Sequence, residues 1–319
     1  YLVPVGRTAG IKIYADGVII VEFSEIKTDA GEISPARDCG LRLGDLIIKV
    51  GTVKVKTMYE LQTELSRYAG KEVALTVLRG GTSLRLNVIP RTDITDGSVK
   101  IGAWVRDSMA GIGTITFYDP ESGVFGALGH GISDGDTGML MPLGSGCLIP
   151  SSVVGINKGE NGKPGELIGI FDTGKNCGSL FANLDTGLFG TLGKNELYPE
   201  LLSGTPLPIG ESDSIERGEA YILSNISGES VEKYKIEIIK IINSERSTKN
   251  LYIRVTDPVL LSQTGGIVQG MSGSPIIQNG RIIGAVTHVL INDPVYGYGI
   301  FIENMLENAE TSGLNLNAA

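Results

Sequence analysis

The chain has 319 residues, a formal net charge of −9 at pH 7 and 45 glycines. Its length allows two domains, and its acidic balance argues against a nucleic-acid partner, because such binding needs clustered Lys and Arg. Three cysteines without a CxxC pair indicate neither a disulfide framework nor a zinc site, although a bridge between Cys147 and Cys177 stays open. We expect no metal and no cofactor. No apolar stretch is long enough to span a bilayer, and no signal-peptide pattern is present.

The first residues favour short strands. Residues 10–23 read as two strands joined by a turn at 15–17. Ser34 and Pro35 are typical of the start of a helical turn, which Gly40 can close in the left-handed conformation.

A capped helix follows. Gly44-Asp45 turns the chain into a buried strand, and Thr57 then begins the pattern of residues 57–69. Thr57 with Glu60 three residues later forms a capping-box signature ahead of apolar residues spaced on one face, which predicts an amphipathic helix.

The run S-P-A-x-x-x-G-L-x-x-G-D-x-I, followed by that helix, resembles a PDZ domain of the bacterial, protease-associated type. We assign residues 1–95 to this domain. The resemblance implies that the domain binds an extended peptide as an added strand. It places the helix at one wall of the groove and puts the carboxylate-binding loop at Thr8, Ala9, Gly10 and Ile11.

Beyond a polar linker at 91–100, the pattern is mainly β. We assign residues 96–309 to a second domain and expect the tail, 310–319, to be frayed. A predicted strand at 124–131 carries His130 near its end, between two glycines. The other histidine of the chain, His288, falls in the middle of a later strand and is expected to pack or to line a pocket.

A serine set among small residues stands in G-M-S-G-S-P, with Ser272 at the tip of a predicted tight loop. Such a serine has the exposed hydroxyl that a nucleophile needs, although an ordinary Gly/Ser turn would look the same. Serine proteolysis also needs an imidazole base and donors for the oxyanion. We predict His130 as the base and the backbone N–H groups of Gly270 and Ser272 as the oxyanion hole.

These motifs and their order resemble chymotrypsin-like serine peptidases. The predicted fold is therefore mainly β, with a PDZ domain before a chymotrypsin-like double β-barrel. Met271 stands where many secreted members have an acid that pairs with a new N-terminus, so that mode of activation is not expected. The uncharged residues at 266–269 favour an uncharged residue before the cleaved bond.

The combination of a PDZ domain, F-G-A-L-G-H-G and T-G-G-I-V-Q-G-M-S-G-S-P-I-I-Q-N-G resembles the stage IV sporulation protein B peptidases of endospore-forming bacteria, peptidase family S55. The resemblance implies Asp257 as the acid of the triad. The alternatives that stay open are Asp134, Asp136, Asp172 and Asp185.

The same resemblance implies a signalling endopeptidase that is secreted from the forespore into the space between forespore and mother cell. It implies as protein substrates the enzyme's own N-terminal segment, in autocatalytic cleavage, and a regulatory protein of an intramembrane protease complex. Because the chain begins at Tyr1, we expect a processed form that met the membrane only through a lost N-terminal anchor. The alternative is a catalytically inactive, PDZ-containing binding or scaffold protein.

Overall fold

The computed structural model describes residues 1–192, 204–244 and 247–311, so most of the predicted tail lies outside the described residues. The first part of the chain forms β1 (Val3–Pro4), β2 (Thr8–Phe23), β3 (Ile26–Thr28), β4 (Gly31–Ile33), α1 (Pro35–Asp38), β5 (Leu46–Val50), β6 (Val53–Lys54), α2 (Met58–Ser66), β7 (Val73–Arg79), β8 (Thr82–Val88), β9 (Arg91–Thr92) and β10 (Val99–Lys100).

The second part forms β11 (Ala103–Tyr118), β12 (Val124–Ala127), β13 (Ser145–Asn157), β14 (Glu166–Phe171), β15 (Gly178–Leu184), β16 (Gly187–Leu192), a 3₁₀ turn (Ser212–Ser214), β17 (Gly218–Ser227), β18 (Ser230–Ile241), β19 (Leu251–Val255), α3 (Pro258–Thr264), β20 (Pro275–Gln278), β21 (Arg281–Val289), β22 (Tyr296–Phe301) and α4 (Ile302–Thr311).

The chain divides into two compact units, and their bounds differ from the predicted boundary near residue 95. One, which we call the helix unit, comprises Ile13–Met109 and Ser133–Ser145; the other, the barrel unit, comprises Tyr1–Lys12, Ala110–Ile132 and Gly146–Ala319. The compact units are divided differently from the predicted domains because the long strands β2 and β11 each contribute residues to both units.

The helix unit is a sheet with α2 over its apolar face. Antiparallel pairing runs from β2 through β5 and β7 to β8. Leu61 and Leu65 of α2 pack into a core with strand residues such as Ile47 and Leu75. The predicted capping box is confirmed, since the Thr57 side chain accepts from the Glu60 N–H and Glu60 accepts from the Thr57 N–H.

The Gly-Asp pair of the motif has a clear structural role in the helix unit. Gly44 adopts φ +82°, a conformation that glycine tolerates best. Asp45 is fully buried and accepts two hydrogen bonds of 2.8 Å from the Arg79 guanidinium and one of 2.9 Å from the Arg42 N–H. The bidentate pair satisfies a carboxylate that would otherwise be costly to bury.

The barrel unit contains a closed barrel of six strands in the order β17-β18-β19-β22-β21-β20. Its interior is filled by alternating apolar side chains, such as Ile236, Ile238 and Ile253, as the period-two pattern predicts. A second antiparallel set in the same unit pairs in the order β1-β11-β12-β16-β15-β13. Among the described residues, no disulfide links Cys147 to Cys177, so the bridge left open between them is not formed.

Two predictions for the start of the chain are wrong. The expected hairpin at 10–23 is one continuous strand, β2, and its first residues belong to the barrel unit. Thr8, Ala9, Gly10 and Ile11 are all buried there. The Thr8 hydroxyl donates to Asn225 Oδ1 at 2.6 Å, and a side chain at Gly10 would run into the Phe171 ring. Buried residues of this kind cannot form a carboxylate-binding loop.

The groove wall next to α2 is formed by a later segment of the same unit. Gln62 donates to the Val99 carbonyl at 2.8 Å, and a cavity of 80 Å³ lies between α2 and residues 100–105. Its apolar lining includes Leu61, Leu65 and Val105. The structure therefore offers a small apolar groove beside the predicted helix, lined on its other side by residues 100–105.

Candidate active site

Ser272 lies in the short connection between α3 and β20 of the barrel unit. The connection begins after Gly265, which ends α3 with φ +76°. Gly270 and Gly273 adopt φ +98° and +97°, and a side chain at Gly273 would collide with the Thr114 carbonyl and the Leu128 N–H. The small residues of the motif therefore permit a close approach between the serine loop and two other segments.

Three backbone hydrogen bonds and two contacts from β11 hold the loop in place. The N–H groups of Met271, Gly273 and Ser274 donate to the carbonyls of Val268, Val286 and Met271 at 3.1, 2.8 and 3.0 Å. Thr114 of β11 adds two contacts, since its N–H donates to the Ser272 carbonyl at 2.9 Å and its hydroxyl to the Gly270 carbonyl at 2.7 Å.

Two N–H groups in this loop are left over. In the described part of the chain, neither the Gly270 nor the Ser272 N–H donates a hydrogen bond. Both groups lie next to the paired amides of Met271, Gly273 and Ser274, although backbone donors are normally paired. Two free donors next to a serine can receive an oxyanion, so their state fits the predicted oxyanion hole.

The Ser272 hydroxyl donates to the Thr287 carbonyl of β21 at 2.9 Å. The next residue of that strand is His288, whose ring centroid lies 5.4 Å from that of His130, with the planes inclined by 40°. The structure thus gathers Ser272, His130 and His288 in one region of the barrel unit. The sequence had placed His288 only in a packed strand or a pocket wall.

His130 follows β12 after two residues with positive φ, Leu128 at +69° and Gly129 at +69°. Its Nδ1 is 2.9 Å from the Gly131 carbonyl. Because a carbonyl only accepts, this contact places the proton on Nδ1 and leaves a lone pair on Nε2, the atom that a general base uses. Burial lowers the pKa of His130 below its ordinary value of 6.5, with a smaller opposing effect of the Gly131 carbonyl.

Gly131 and Ile132, the two residues after His130, are held in place by the β15–β16 turn. Asn183 accepts from the Ile132 N–H at 2.8 Å and donates to the Ile132 carbonyl at 2.9 Å. The Gly131 N–H donates to the Asp185 carbonyl at 3.2 Å. These contacts fix the backbone that carries the imidazole.

Asp257 has a different position from the one expected of a triad acid. It is the N-cap of α3: its Oδ1 accepts from the Val259 and Leu260 N–H groups at 2.9 and 3.1 Å, and its Oδ2 from the Lys235 N–H at 3.2 Å. Among the described residues, no hydrogen bond joins it to either histidine. The expected contact with His130 is not made, and the carboxylate instead caps α3 and accepts from the Lys235 N–H.

Among the described residues, no hydrogen bond joins the alternative aspartates to either imidazole. Asp134 and Asp136 pair with Arg106 in the helix unit, and Asp172 pairs with Lys175 at 2.9 Å. Asp185 is the alternative whose backbone contacts the residue after His130, and its side chain is exposed.

Sequence reasoning missed three features of the site. It did not predict α3, although Asp257-Pro258 followed by apolar residues and Gly265 is a helix signature with N-cap, proline at the first position and a C-terminal glycine. It also missed Thr114 and Thr287, for which no local signal exists because their roles depend on tertiary packing. Ile267 and Val268, expected beside a specificity pocket, are buried in the barrel core.

Within the described ranges, no group of three or more His, Cys, Asp or Glu residues could hold a metal ion. In the same ranges, no helix has the length and apolarity needed to cross a membrane.

The chain is similar to known proteins in two regions. Residues 97–306 match the family model of SpoIVB peptidase S55, and residues 10–89 match the PDZ domain model. The zinc metalloprotease RasP of Shouchella clausii is 42% identical over 57 residues, which are 18% of this chain and only 14% of that protein. A similarity over so little of RasP does not extend its activity to this chain.

Two solved structures show weaker similarity. The PDZ domain of the SdrC-like protein of Listeria monocytogenes is 23% identical, with a TM-score of 0.23, over 28% of this chain and 87% of that one. The Rv3671c protease of M. tuberculosis, in its inactive form, is 14% identical with a TM-score of 0.36, over 65% of this chain and 85% of that one.

The mainly β fold with an N-terminal PDZ domain is confirmed. Of the predicted chymotrypsin-like double β-barrel, the described residues form one closed barrel of six strands. The family match covers well over half of the chain and includes Ser272, both histidines and the strands that position them. The chain therefore belongs to the SpoIVB peptidase S55 family and is a serine peptidase with a PDZ domain ahead of its peptidase region.

Proposed function

We propose that the chain is an endopeptidase in which Ser272 is the nucleophile and His130 the general base. The observation that carries this proposal is the serine loop, where one hydroxyl lies beside two unpaired N–H groups. In the reaction, His130 Nε2 takes the hydroxyl proton as Oγ attacks the substrate carbonyl. The Gly270 and Ser272 N–H groups receive the oxyanion, and the imidazolium returns the proton to the leaving amine.

The observed geometry supports a resting arrangement of this site. Ser272 Oγ donates to the Thr287 carbonyl rather than to His130, and a rotation about its χ1 would release it. The Gly131 carbonyl fixes the tautomer of His130, a role that an acid fills in other serine peptidases. Substrate binding would then complete the contact between serine and histidine.

Labelling with a fluorophosphonate probe tests the nucleophile. We expect the wild type to be labelled and Ser272→Ala to be unlabelled. Ser274→Ala is the matched control, since Ser274 lies in the same loop but its hydroxyl is buried against Ser224 at 3.2 Å. Folded wild-type protein that resists the probe would contradict the proposal and favour a catalytically inactive binding protein.

We further propose the signalling role that the family resemblance implies. The enzyme would act in sporulation, in the space between forespore and mother cell, cleaving its own N-terminal segment and a regulatory protein of an intramembrane protease complex. In an endospore-forming host, Ser272→Ala should accumulate the uncleaved precursor and stop the signal. Normal processing of the precursor by this variant would refute self-cleavage.

For the PDZ domain, we propose that the groove between α2 and residues 100–105 binds one of these protein segments as an added strand. Met58 lines the cavity, so Met58→Lys should slow cleavage of the precursor without changing labelling of Ser272. Tyr59→Lys is the control, because Tyr59 is 80% exposed and does not line the cavity. Equal cleavage rates for the two variants would contradict a role of this groove.

A further inference from the structure

The two histidines of the chain, His130 and His288, lie side by side in the barrel unit although 158 positions separate them (288 − 130). Their ring centroids are 5.4 Å apart. Two imidazoles that bind one metal ion with nitrogen–metal distances of about 2.0–2.1 Å and a tetrahedral angle have centroids roughly 5 Å apart. The observed separation leaves room for one metal ion between the two rings.

Both rings also have nitrogen atoms available for a metal. His130 donates from Nδ1 to the Gly131 carbonyl, which leaves the Nε2 lone pair free. The Nδ1 of His288 is buried and has no hydrogen-bond partner in the described part of the chain, an uncommon state for a buried polar atom.

We propose that a divalent transition metal ion, with Zn²⁺ as the best match to imidazole ligands, binds between His130 and His288 and reversibly inhibits the peptidase. The ion occupies the Nε2 lone pair of His130 that would accept the proton of Ser272. Water or the nearby Ser272 hydroxyl completes its coordination. The inhibitory effect rests on the proposed function, whereas binding of the ion does not.

The number of protein ligands predicts how tightly the site holds its metal ion. In the described ranges, no third His, Cys, Asp or Glu joins the pair, whereas permanent structural zinc sites have four protein ligands. Two imidazoles give a weaker, exchangeable site. A site of this kind senses the free zinc concentration instead of stabilising the fold.

Zinc titration of the Ser272→Ala protein by calorimetry tests binding without catalysis. We expect one ion per chain, and a loss of affinity of about tenfold or more when His288 is also changed to Phe or Gln, because one of two ligands is removed. Cys147→Ala is the control for adventitious thiol binding and should leave the affinity unchanged. Absence of zinc binding, or equal binding without His288, would overturn the proposal.

Fluorophosphonate labelling tests inhibition. In the wild type, Zn²⁺ should slow labelling, a chelator should restore it, and Mg²⁺, which prefers oxygen ligands, should have no effect. The His288→Phe protein, compared with its own rate in the absence of metal, should need about tenfold more Zn²⁺ for the same inhibition. Equal zinc sensitivity of the two proteins overturns the inference, whereas a wild type that never labels refutes the proposed function and leaves the calorimetric test intact.

Discussion

The two residues predicted to assist Ser272 lie in regions with opposite properties. His130 follows β12 in a half-buried position, with one ring nitrogen held by the Gly131 carbonyl and the other left with a lone pair. Asp257, which is also half-buried, begins α3, and three backbone N–H groups engage its two oxygens. One region leaves a reactive atom free for chemistry, whereas the other uses its charge to hold a helix. The family resemblance that implies Asp257 as the acid therefore does not show that it acts together with His130.

Both regions nevertheless converge on the serine loop. The β12 side reaches it through Leu128, whose N–H lies against Gly273. The Asp257 side reaches it through α3, which ends at Gly265, seven positions before Ser272 (272 − 265). We therefore expect His130 to act in the chemistry and Asp257 to place the loop, and variants can separate these two functions.

Replacing the base should have the largest effect. We expect His130→Ala to lower the rate of fluorophosphonate labelling by about 10⁴-fold or more, because loss of the base removes the activation of serine. Thermal unfolding should show a folded protein. A variant that labels at a near-normal rate would remove His130 from the mechanism and leave His288 as the candidate base.

The second-largest effect is expected at Gly273, where the serine loop packs against Thr114 and Leu128. Gly273→Ala should lower the free energy of unfolding by more than about 2 kcal/mol, since its side chain meets the Thr114 carbonyl and φ is positive. Gly280→Ala is the matched control, with φ +74° but open space around it. Equal losses of stability, measured by denaturant unfolding, would show that strain in φ and not close packing matters at Gly273.

The pH dependence of labelling should sharpen the role of His130. Burial lowers its pKa below 6.5, and the base must be neutral to accept a proton. Labelling should therefore rise by about tenfold per pH unit up to a midpoint below 6.5 and be constant above it. A midpoint at or above 6.5, measured with a probe that does not titrate, would indicate a carboxylate close to the imidazole.

The free energy of unfolding should also rise with pH, because folding lowers the pKa of the second histidine, His288. The pKa of His288 falls from 6.5 to about 4 on folding because of burial and the neighbouring His130. Between these values the unfolded chain binds more protons than the folded one, so stability decreases as the pH falls from about 6.5 to about 4. His288→Phe should reduce this dependence, which denaturant unfolding at several pH values can measure.

The sequence predicted the parts of the site that depend on local chemistry. Glycines around Ser272 and His130 indicated close approach and free backbone donors, and the structure places both in one unit. The capping box at Thr57 was also read correctly, because its contacts span three residues. The strand at Thr8–Ile11 was not, because its burial depends on Asn225 and Phe171, more than 150 residues away. Long-range partners of this kind leave no pattern in a single sequence.

The smallest effect, and the sharpest test of the comparison, is expected at Asp257. Asn is as good an N-cap as Asp, whereas Ala is not. Asp257→Asn should therefore keep most of the labelling rate, and Asp257→Ala should lose about 1 kcal/mol of stability and some labelling as α3 frays. Thr57→Ala removes the cap of α2 and should cost a similar free energy without slowing the labelling of Ser272.

A triad acid would give the reverse ranking of the two Asp257 variants. Asn would then hold the imidazole in the wrong tautomer and lower turnover by about 10⁴-fold, while stability stayed nearly constant. Labelling and unfolding measured on the same preparations therefore separate the two roles. If the labelling rate falls with the loss of charge, Asp257 must leave its position at α3 to reach His130 during catalysis. If it falls only with the loss of the cap, the carboxylate acts by holding the helix that carries the serine loop.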